Sequence, residues 1–441
     1  MSVYSKRLGG IALGSLMALA CLSQPALAYG PEGLFGGRPL PDSTVNLNAN
    51  VQPEDRPDRA QSVLQHPRPD YDPAPVSVAS FDLYPSVEFG AAYDTNAFAA
   101  KANAHDDGIF NTRPAVSAAS NWNRHALQMT SYADFNAYRE NDASNFNNYV
   151  VDFQGRYDVL NRTYFTGNAG YQHLSLPTTS PNNATGNDAQ TFDVYKAGAS
   201  FYRGAGLLHA YAGYDIKRLS YNNAATPNGG GDQTLFDRDQ HTMSGGVSYE
   251  LTENLKPYFK GRYNWRDYDR NAVRQSQGYD GVVGATADFG GITSLDAYIG
   301  WISQNYENFA NDNVNRGVKF GGRLDWNVTG LTSVALEVNR SVEETSVANF
   351  NSFMATGGSA TVTHELLRNL LVEGDFSFTR NAFQGFGTRE DDQVVAGTGV
   401  RWLINRHLYA DVNYNWQRRL SSADSADFLK HIVALRLGVQ M

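Results

Sequence analysis

The chain has 441 residues with a formal net charge of −9, 41% hydrophobic and 12% aromatic residues, and 41 glycines. That acidic balance leaves no surplus of cations to neutralise phosphates and argues against nucleic-acid binding. Beyond the N-terminus no stretch reaches the ~18 consecutive apolar residues of a helical membrane span, so a membrane-embedded form of this chain must cross as strands.

Residues 1–28 read as a secretory signal: Lys6 and Arg7 form the positive region, Leu8 to Leu22 the apolar stretch, and Ala26-Leu27-Ala28 a small-residue cleavage site. Cleavage there starts the mature chain at Tyr29 and removes Cys21, the sole cysteine. Ala18-Leu19-Ala20-Cys21 only loosely resembles a lipoprotein box, with Ala where Leu is preferred. Residues 29–79 form a Pro-rich arm. Nine of the sixteen prolines lie between Pro31 and Pro75 among Asp, Asn, Arg and Gln. Such a composition cannot bury a core, and the expectation is a disordered periplasmic leader; a docking segment or a plug inside a pore are the functional alternatives.

From Phe81 the texture changes to alternation. Leu83, Pro85, Val87, Phe89, Ala91 and Tyr93 share one face, and Asp82, Tyr84, Ser86, Glu88 and Asp94 the other. Near the end Leu408, Ala410, Val412, Tyr414 and Trp416 alternate with Tyr409, Asp411, Asn413, Asn415 and Gln417. Eighteen such segments run at 81–93, 109–122, 125–138, 148–159, 163–174, 191–203, 207–220, 239–251, 255–267, 277–289, 292–305, 316–327, 331–344, 353–365, 369–380, 392–403, 407–418 and 428–441. Segment 191–203 is the least regular, because either face carries a charge, Asp193 or Lys196. The fold class expected for 80–441 is all-β: a transmembrane antiparallel up-and-down β-barrel of about 18 strands behind a disordered N-terminal arm.

Links alternate between tight turns, such as Asn161-Arg162 and Gly290-Gly291, and longer polar loops, such as Leu176 to Gln190 and Tyr221 to Arg238. In outer-membrane barrels the short turns are periplasmic, which puts both termini in the periplasm of a Gram-negative cell. All six tryptophans fall on the apolar face. Trp122, Trp326 and Trp402 precede short turns, and Trp265, Trp301 and Trp416 sit near the starts of long loops. Two indole girdles are what a lipid-facing wall should carry at its two interfaces. A soluble sandwich or propeller has no reason to sort tryptophan by strand end.

The polar face of an eighteen-stranded barrel encloses an aqueous lumen unless loops or a plug fill it. Expected pore-lining residues are Lys260, Arg262 and Arg266 on one strand, Lys319 and Arg323 on another, and Arg401 and Arg436 elsewhere. Asp134, Asp152, Glu337, Glu373, Asp375 and Asp411 oppose them. The triplet at 260, 262 and 266 reads as a basic ladder for an acidic solute, or as ordinary ion pairing with neighbours, the simpler reading. Tyr132, Tyr138, Tyr211, Tyr258, Tyr298 and Tyr409 also face inward, where they could stack on sugars. Asp106-Asp107 and Glu343-Glu344 read as solvated charges at loops or strand ends. The chain reads as no enzyme and takes no cofactor: no motif sets a nucleophile beside a base, the histidines lack metal-ligand spacing (His209 faces inward and His364 adjoins a turn), and Gly229-Gly230-Gly231 lacks the Lys-Ser/Thr of a phosphate cradle.

Several segments resemble the putative β-barrel porin-2 family: Pro85-Ser86-Val87 through Tyr93-Asp94-Thr95-Asn96-Ala97-Phe98, then Arg266-Asp267-Tyr268-Asp269, Gly278-Tyr279, and Leu331-Thr332-Ser333 running to Arg340-Ser341-Val342-Glu343-Glu344-Thr345. The resemblance covers roughly Phe81 to Met441. It implies an outer-membrane channel serving exopolysaccharide export or diffusion of polar solutes. Partners would be outer-membrane lipid and lipopolysaccharide, the barrel-assembly machinery, and polysaccharide or periplasmic export components. The alternatives are a structural or adhesive barrel with a closed lumen, and a barrel-embedded envelope hydrolase. One departure is the end of the chain, Met441 where such strands usually finish in Phe.

Overall fold

The computed structural model describes residues 61–182, 190–222, 232–307, 314–347 and 349–441. The expected signal, 1–28, and the arm as far as residue 60 lie outside them. A short strand β1 (Val76–Val78) precedes β2 (Phe81–Asp94), β3 (Asp107–Ser120), β4 (Ala126–Tyr138), β5 (Phe146–Leu160), β6 (Thr163–Leu176), β7 (Gln190–Ala205), β8 (Leu208–Tyr221) and β9 (Arg238–Tyr249). There follow β10 (Leu255–Tyr268), β11 (Ser276–Phe289), β12 (Thr293–Tyr306), β13 (Val314–Thr329), β14 (Thr332–Glu344), β15 (Phe350–Leu367), β16 (Leu370–Gly385), β17 (Glu390–Leu403), β18 (Leu408–Ser421) and β19 (Phe428–Gln440). Each strand from β2 onward pairs antiparallel with the next, and β19 returns to β2 from Ile432↔Asp94 to Gln440↔Ser86. The result is a closed barrel of eighteen strands, β1 lying along β2 as an addition. Closure leaves no edge strand, although β13 and β14 are unpaired with each other over their far ends.

All eighteen expected segments are strands, most of them longer by one to a few residues. The ends moved where alternation gives no signal. Trp122 lies in the link after β3 and not in a strand, its ring edge-on to Phe81 at 5.5 Å. The irregular segment is β7, and its two charges explain each other. Lys196 points inward to Asp152 at 2.8 Å, and Asp193 points outward to Tyr171 and His173, each at 2.8 Å. Both faces are polar because the outward one reaches past the apolar band.

The outward face is the oily one. On β19 Leu429, Val433, Leu435 and Leu437 are exposed, and Lys430, Ile432, Ala434 and Arg436 between them are buried. Fully burying such an aliphatic side chain in hydrocarbon stabilises by roughly 1.5–3 kcal/mol, so the row is stable facing lipid and costly facing water. The two ends of the barrel differ as expected. One carries tight links at 161–162, 206–207, 330–331 and 368–369, and the other the long segments 95–106, 177–189 and 222–237. The rule is not uniform, since 345–349 and 386–389 on the long-loop side are as short as links on the other.

The expectation of a disordered arm fails for residues 61–78. Val63, in a single 3-10 turn, is fully buried, and its N–H donates to Ser333 Oγ at 2.8 Å. Arg68, 4% exposed, donates to Glu365 at 2.6 Å and to the carbonyls of Val63 (2.8 Å), His66 (3.1 Å) and Arg368 (3.1 Å). Arg406 donates to the Pro69 carbonyl at 2.6 Å, and Gln440 to that of Tyr71. The partners lie at the tight-turn ends of β14, β15 and β19 and in two turns, so this segment runs along the tight-turn rim. Low hydrophobicity hid it, because docking here rests on one buried valine and a set of polar contacts centred on Arg68.

Candidate functional site: the lumenal constriction

Strands β13 and β14 separate before either ends. Their register runs from Asn327↔Ser333 to Gly321↔Asn339 and stops, though β13 continues to Val314 and β14 to Glu344. Beyond that point β13 pairs with β12 alone and β14 with β15 alone. The freed tip of the β14–β15 hairpin leans into the lumen. Its burial shows this, since Asn351, Ser352, Phe353, Met354 and Ala355 are all buried in succession, which a strand with one wet face cannot do.

Glu344 anchors the tip. It accepts from Arg266 Nη1, from Tyr268 Oη at 2.6 Å and from Tyr306 Oη at 2.7 Å. β10 and β14 are not neighbours in the wall, so these bonds pass through the interior. Arg274, in the β10–β11 link, donates to the carbonyls of Thr345 (2.5 Å) and Phe350 (2.8 Å) in the turn of the hairpin. Asn315 of β13 donates to Ser352 Oγ at 3.1 Å. From the long segment after β6, Asn182 accepts from Ser346 at 2.8 Å and donates to the Glu344 carbonyl at 3.3 Å. Arg419 reaches the Thr179 carbonyl from β18, and Thr178 donates to that of Ala97 at 2.9 Å. Two inward folds, 177–182 and the hairpin tip, therefore meet and are tied to the wall. A buried carboxylate with three donors is a strong anchor, because losing any one leaves desolvated charge behind.

The expected pore-lining residues face the interior, and most are occupied. Arg262 holds Asp280 at 2.9 Å and Lys319 holds its other oxygen at 3.1 Å. Arg266 holds Glu344, Arg323 contacts Asp325 (2.8 Å) and Glu337 (3.7 Å), and Arg401 grips Asp411 at 2.7 and 2.8 Å. Asp134 faces Arg113, and Arg436 holds Glu88 at 3.1 Å. Of the basic triplet only Lys260 has no short ion pair among the described residues, its ammonium lying 3.8 Å from the centre of the Tyr258 ring. Two of the three are held in ion pairs and the third lies over a ring, so the triplet is not a free cationic track. Of the histidines, the inward His209 contacts Glu250 at 3.3 Å, and His364, on the outward row with Val362, meets Thr332 Oγ1 at 2.9 Å.

Lumen tyrosines are engaged in the same way. Tyr211, Tyr258, Tyr298 and Tyr409 pair in register with Gly246, Gly284, Gly321 and Gly438, and each ring covers its glycine. Tyr258 Oη donates to Asp296 at 2.9 Å and Tyr409 Oη to Glu88. Tyr132 carries the Arg113 guanidinium at 4.1 Å, and Tyr138 packs with Phe146.

A family description, putative beta-barrel porin 2, matches residues 68–441. The chain belongs to that family. It is a porin-like barrel of a Gram-negative outer membrane. No curated protein matches it. Among solved structures it is similar to Pseudomonas aeruginosa OpdL, with 12% identity, 82% of this chain and 100% of that one covered, and a TM-score of 0.43. It is also similar to a BenF-like porin from Pseudomonas fluorescens Pf-5, with 10% identity, 81% and 99% covered, and a TM-score of 0.45.

Two readings of this porin's charges need correction. Glu343-Glu344 is not solvated; Glu344 is the anchor of the hairpin tip, and Glu343 accepts from Ser341 at 2.7 Å. Asp107 is 2% exposed and receives the Glu140 N–H and the Asn141 amide, although Asp106 does remain exposed, bonded to Tyr93. Of the residues that shape the constriction, Arg274, Tyr306, Thr179 and Asn182 were not singled out in the sequence, and Tyr268 entered only within a family-like segment. One signal was available: paired carboxylates closing an alternating strand, at a depth where only a buried cation could hold them.

The indoles lie on outward positions. Trp326 and Trp402 are near the tight-turn ends of β13 and β17, and Trp265, Trp301 and Trp416 toward the long-loop ends of β10, β12 and β18. Trp265 is stacked on His241 at 4.7 Å and 9°. Among the described residues no group of three or more His, Asp or Glu side chains could hold a metal.

Proposed function

We propose that this porin passes small polar solutes by diffusion, the β14–β15 tip and segment 177–182 setting the width of the path. The observation that carries this reading is the inward displacement of the tip, anchored at Glu344 by side chains from β10 and β12. The inner wall is polar, but most of its charges are paired and four of its tyrosine rings lie against glycines, so few rings are left to stack on a polysaccharide chain. This favours small hydrated solutes over exopolysaccharide export. No catalytic step is assigned to it.

In this reading the tight turns and both termini are periplasmic, and the apolar outer rows contact lipid and lipopolysaccharide between two tryptophan girdles. Assembly runs through the barrel-assembly machinery. Planar-bilayer recording of the refolded protein tests the channel, with and without residues 29–75. Discrete conductance steps support it; their absence from both forms makes this a closed structural barrel. Liposome swelling with sugars of increasing size tests the cargo. Uptake that falls steeply beyond small sugars fits, and equal uptake of long oligosaccharides returns the reading to glycan export.

A further inference from the structure

The place where the wall splits holds a second possible pairing. The β13–β14 register keeps a constant sum from Asn327↔Ser333 to Gly321↔Asn339. Continued by the same rule, it would set Phe320 against Arg340, Lys319 against Ser341, Val318 against Val342, Gly317 against Glu343 and Arg316 against Glu344. Both stretches are already extended, as the ends of β13 and β14.

Most side chains fit that continuation, Arg340 being the exception because its parity would set it outward beside Val338. Val338 and Leu336 are 48% and 40% exposed on the lipid face of β14, and Val342 has their parity yet is 6% exposed, drawn inside against Ile302 and Met354. Zipped, Val342 would rejoin its row beside Val318, which is 41% exposed. Arg316 and Glu344 would then be cross-strand partners of opposite charge, a favourable pair. Arg340, which crosses to the inner face of Gly317, has no hydrogen bond or ion pair among the described residues. Leaving a strand edge without its ladder is costly where water is scarce, so the separated arrangement stands only against what holds the tip inward.

We propose that the β14–β15 tip is a two-position gate: held at Glu344 it narrows the lumen, and zipped onto β13 it rejoins the wall and widens it. Glu344 serves both positions, bound to Arg266, Tyr268 and Tyr306 in one and set opposite Arg316 in the other. A carboxylate with two alternative cationic sites is what a bistable element requires. The proposal rests on the channel reading for its consequence, and on pairing alone for its geometry.

Cysteine pairs separate the two, because the chain has one native cysteine, Cys21, in the expected signal. A disulfide needs Cβ atoms roughly 3.5–4.5 Å apart. V318C/V342C can close only in the zipped position, and N315C/S352C only in the held one. In refolded full-length mature protein under mild oxidant, both pairs should cross-link on gels. The first should raise single-channel conductance and the second should leave it at the lower level without transitions. Failure of V318C/V342C to close while N315C/S352C closes overturns the gate, as does closure of both with equal conductance. Should the cysteine variants not fold, E344Q supplies the second measurement, with more frequent transitions expected and an unchanged record overturning the gate. Cross-linking of both pairs without conductance in any form would instead defeat the channel reading.

Discussion

Tyr258 lies over Gly284 on the neighbouring strand, and its hydroxyl reaches Asp296 one strand further at 2.9 Å. A side chain crosses a whole strand because that strand offers no side chain in the way. A Cβ on Gly284 would sit 2.5 Å from the Ala297 carbonyl and 2.7 Å from Tyr258 Cζ, so one of them must move. The same logic lets Lys196 reach Asp152 across Gly170.

Gly284→Val should therefore lower barrel stability by about 1–3 kcal/mol, the usual cost of overpacking. Gly374→Ala, where an added Cβ meets nothing within 4 Å, should change it by less than about 0.5 kcal/mol. Urea unfolding of the refolded protein in lipid vesicles measures both, and equal midpoints would dismiss the tyrosine-over-glycine account.

Facing is testable on one strand. Ala410 belongs to the outward row of β18 and Asn413 to the inward one. Ala410→Arg should cost about 2–4 kcal/mol at mid-membrane depth, whereas Asn413→Arg, in contact with water, should fold in normal yield. Heat-modifiable gel migration reports the folded fraction, and matching yields would reverse the assigned faces.

Removal of Arg68 should free the docked segment. Arg68→Ala leaves the buried Glu365 with His66 at 3.1 Å and the exposed Arg368 at 3.6 Å, so the cost stays below the roughly 3–5 kcal/mol of a buried pair broken outright. Limited proteolysis should then cut within 61–78 while the barrel stays folded, and Arg68→Met with Glu365→Gln should protect the segment better than the single change. Persistent protection in Arg68→Ala would mean that Val63, His66 and the bonds from Arg406 and Gln440 hold the segment without it.

Acid should loosen the loop after β10. The Arg218 guanidinium donates to Asp269, at 2.7 Å for one of its two bonds, and this holds the Asp269 carboxyl below the usual range. A depressed carboxyl contributes its stability above its unfolded value near pH 3.9 and loses it as pH falls through the lower folded value. Protease access to 269–275, read with an acid-stable enzyme, should rise between about pH 4 and pH 2 in the parent. In Arg218→Ala it should already be high at neutral pH, and identical profiles would remove the pair from the account.

Alternation made the wall legible because a period of two records which side of a sheet each residue faces, and lipid imposes that record on every strand. Leu435, Leu437 and Val439 could be read outward from spacing alone. The constriction was not legible for the same reason. Val342 keeps the parity of the lipid face and is nonetheless inside, since its place is decided by Glu344 meeting Arg266 from 78 residues away. Glycines held part of the missing information. Gly170, Gly284 and Gly321 on inward rows mark where neighbours reach across, but composition counts them only as turn formers. The docked segment was hidden by prolines, which report the lack of a core and say nothing about a single arginine with four acceptors.

The order in which this molecule can be completed follows from where residues 69–71 are tethered. Pro69 receives its hydrogen bond from Arg406 in the turn before β18, and Tyr71 from Gln440 at the end of β19. Of these donors Gln440 takes its position only once β19 has met β2. The rim clasp is thus the closing act of folding, and a barrel arrested before its final hairpin would carry a loose leader, which makes protection of this short stretch a sensor of finished assembly.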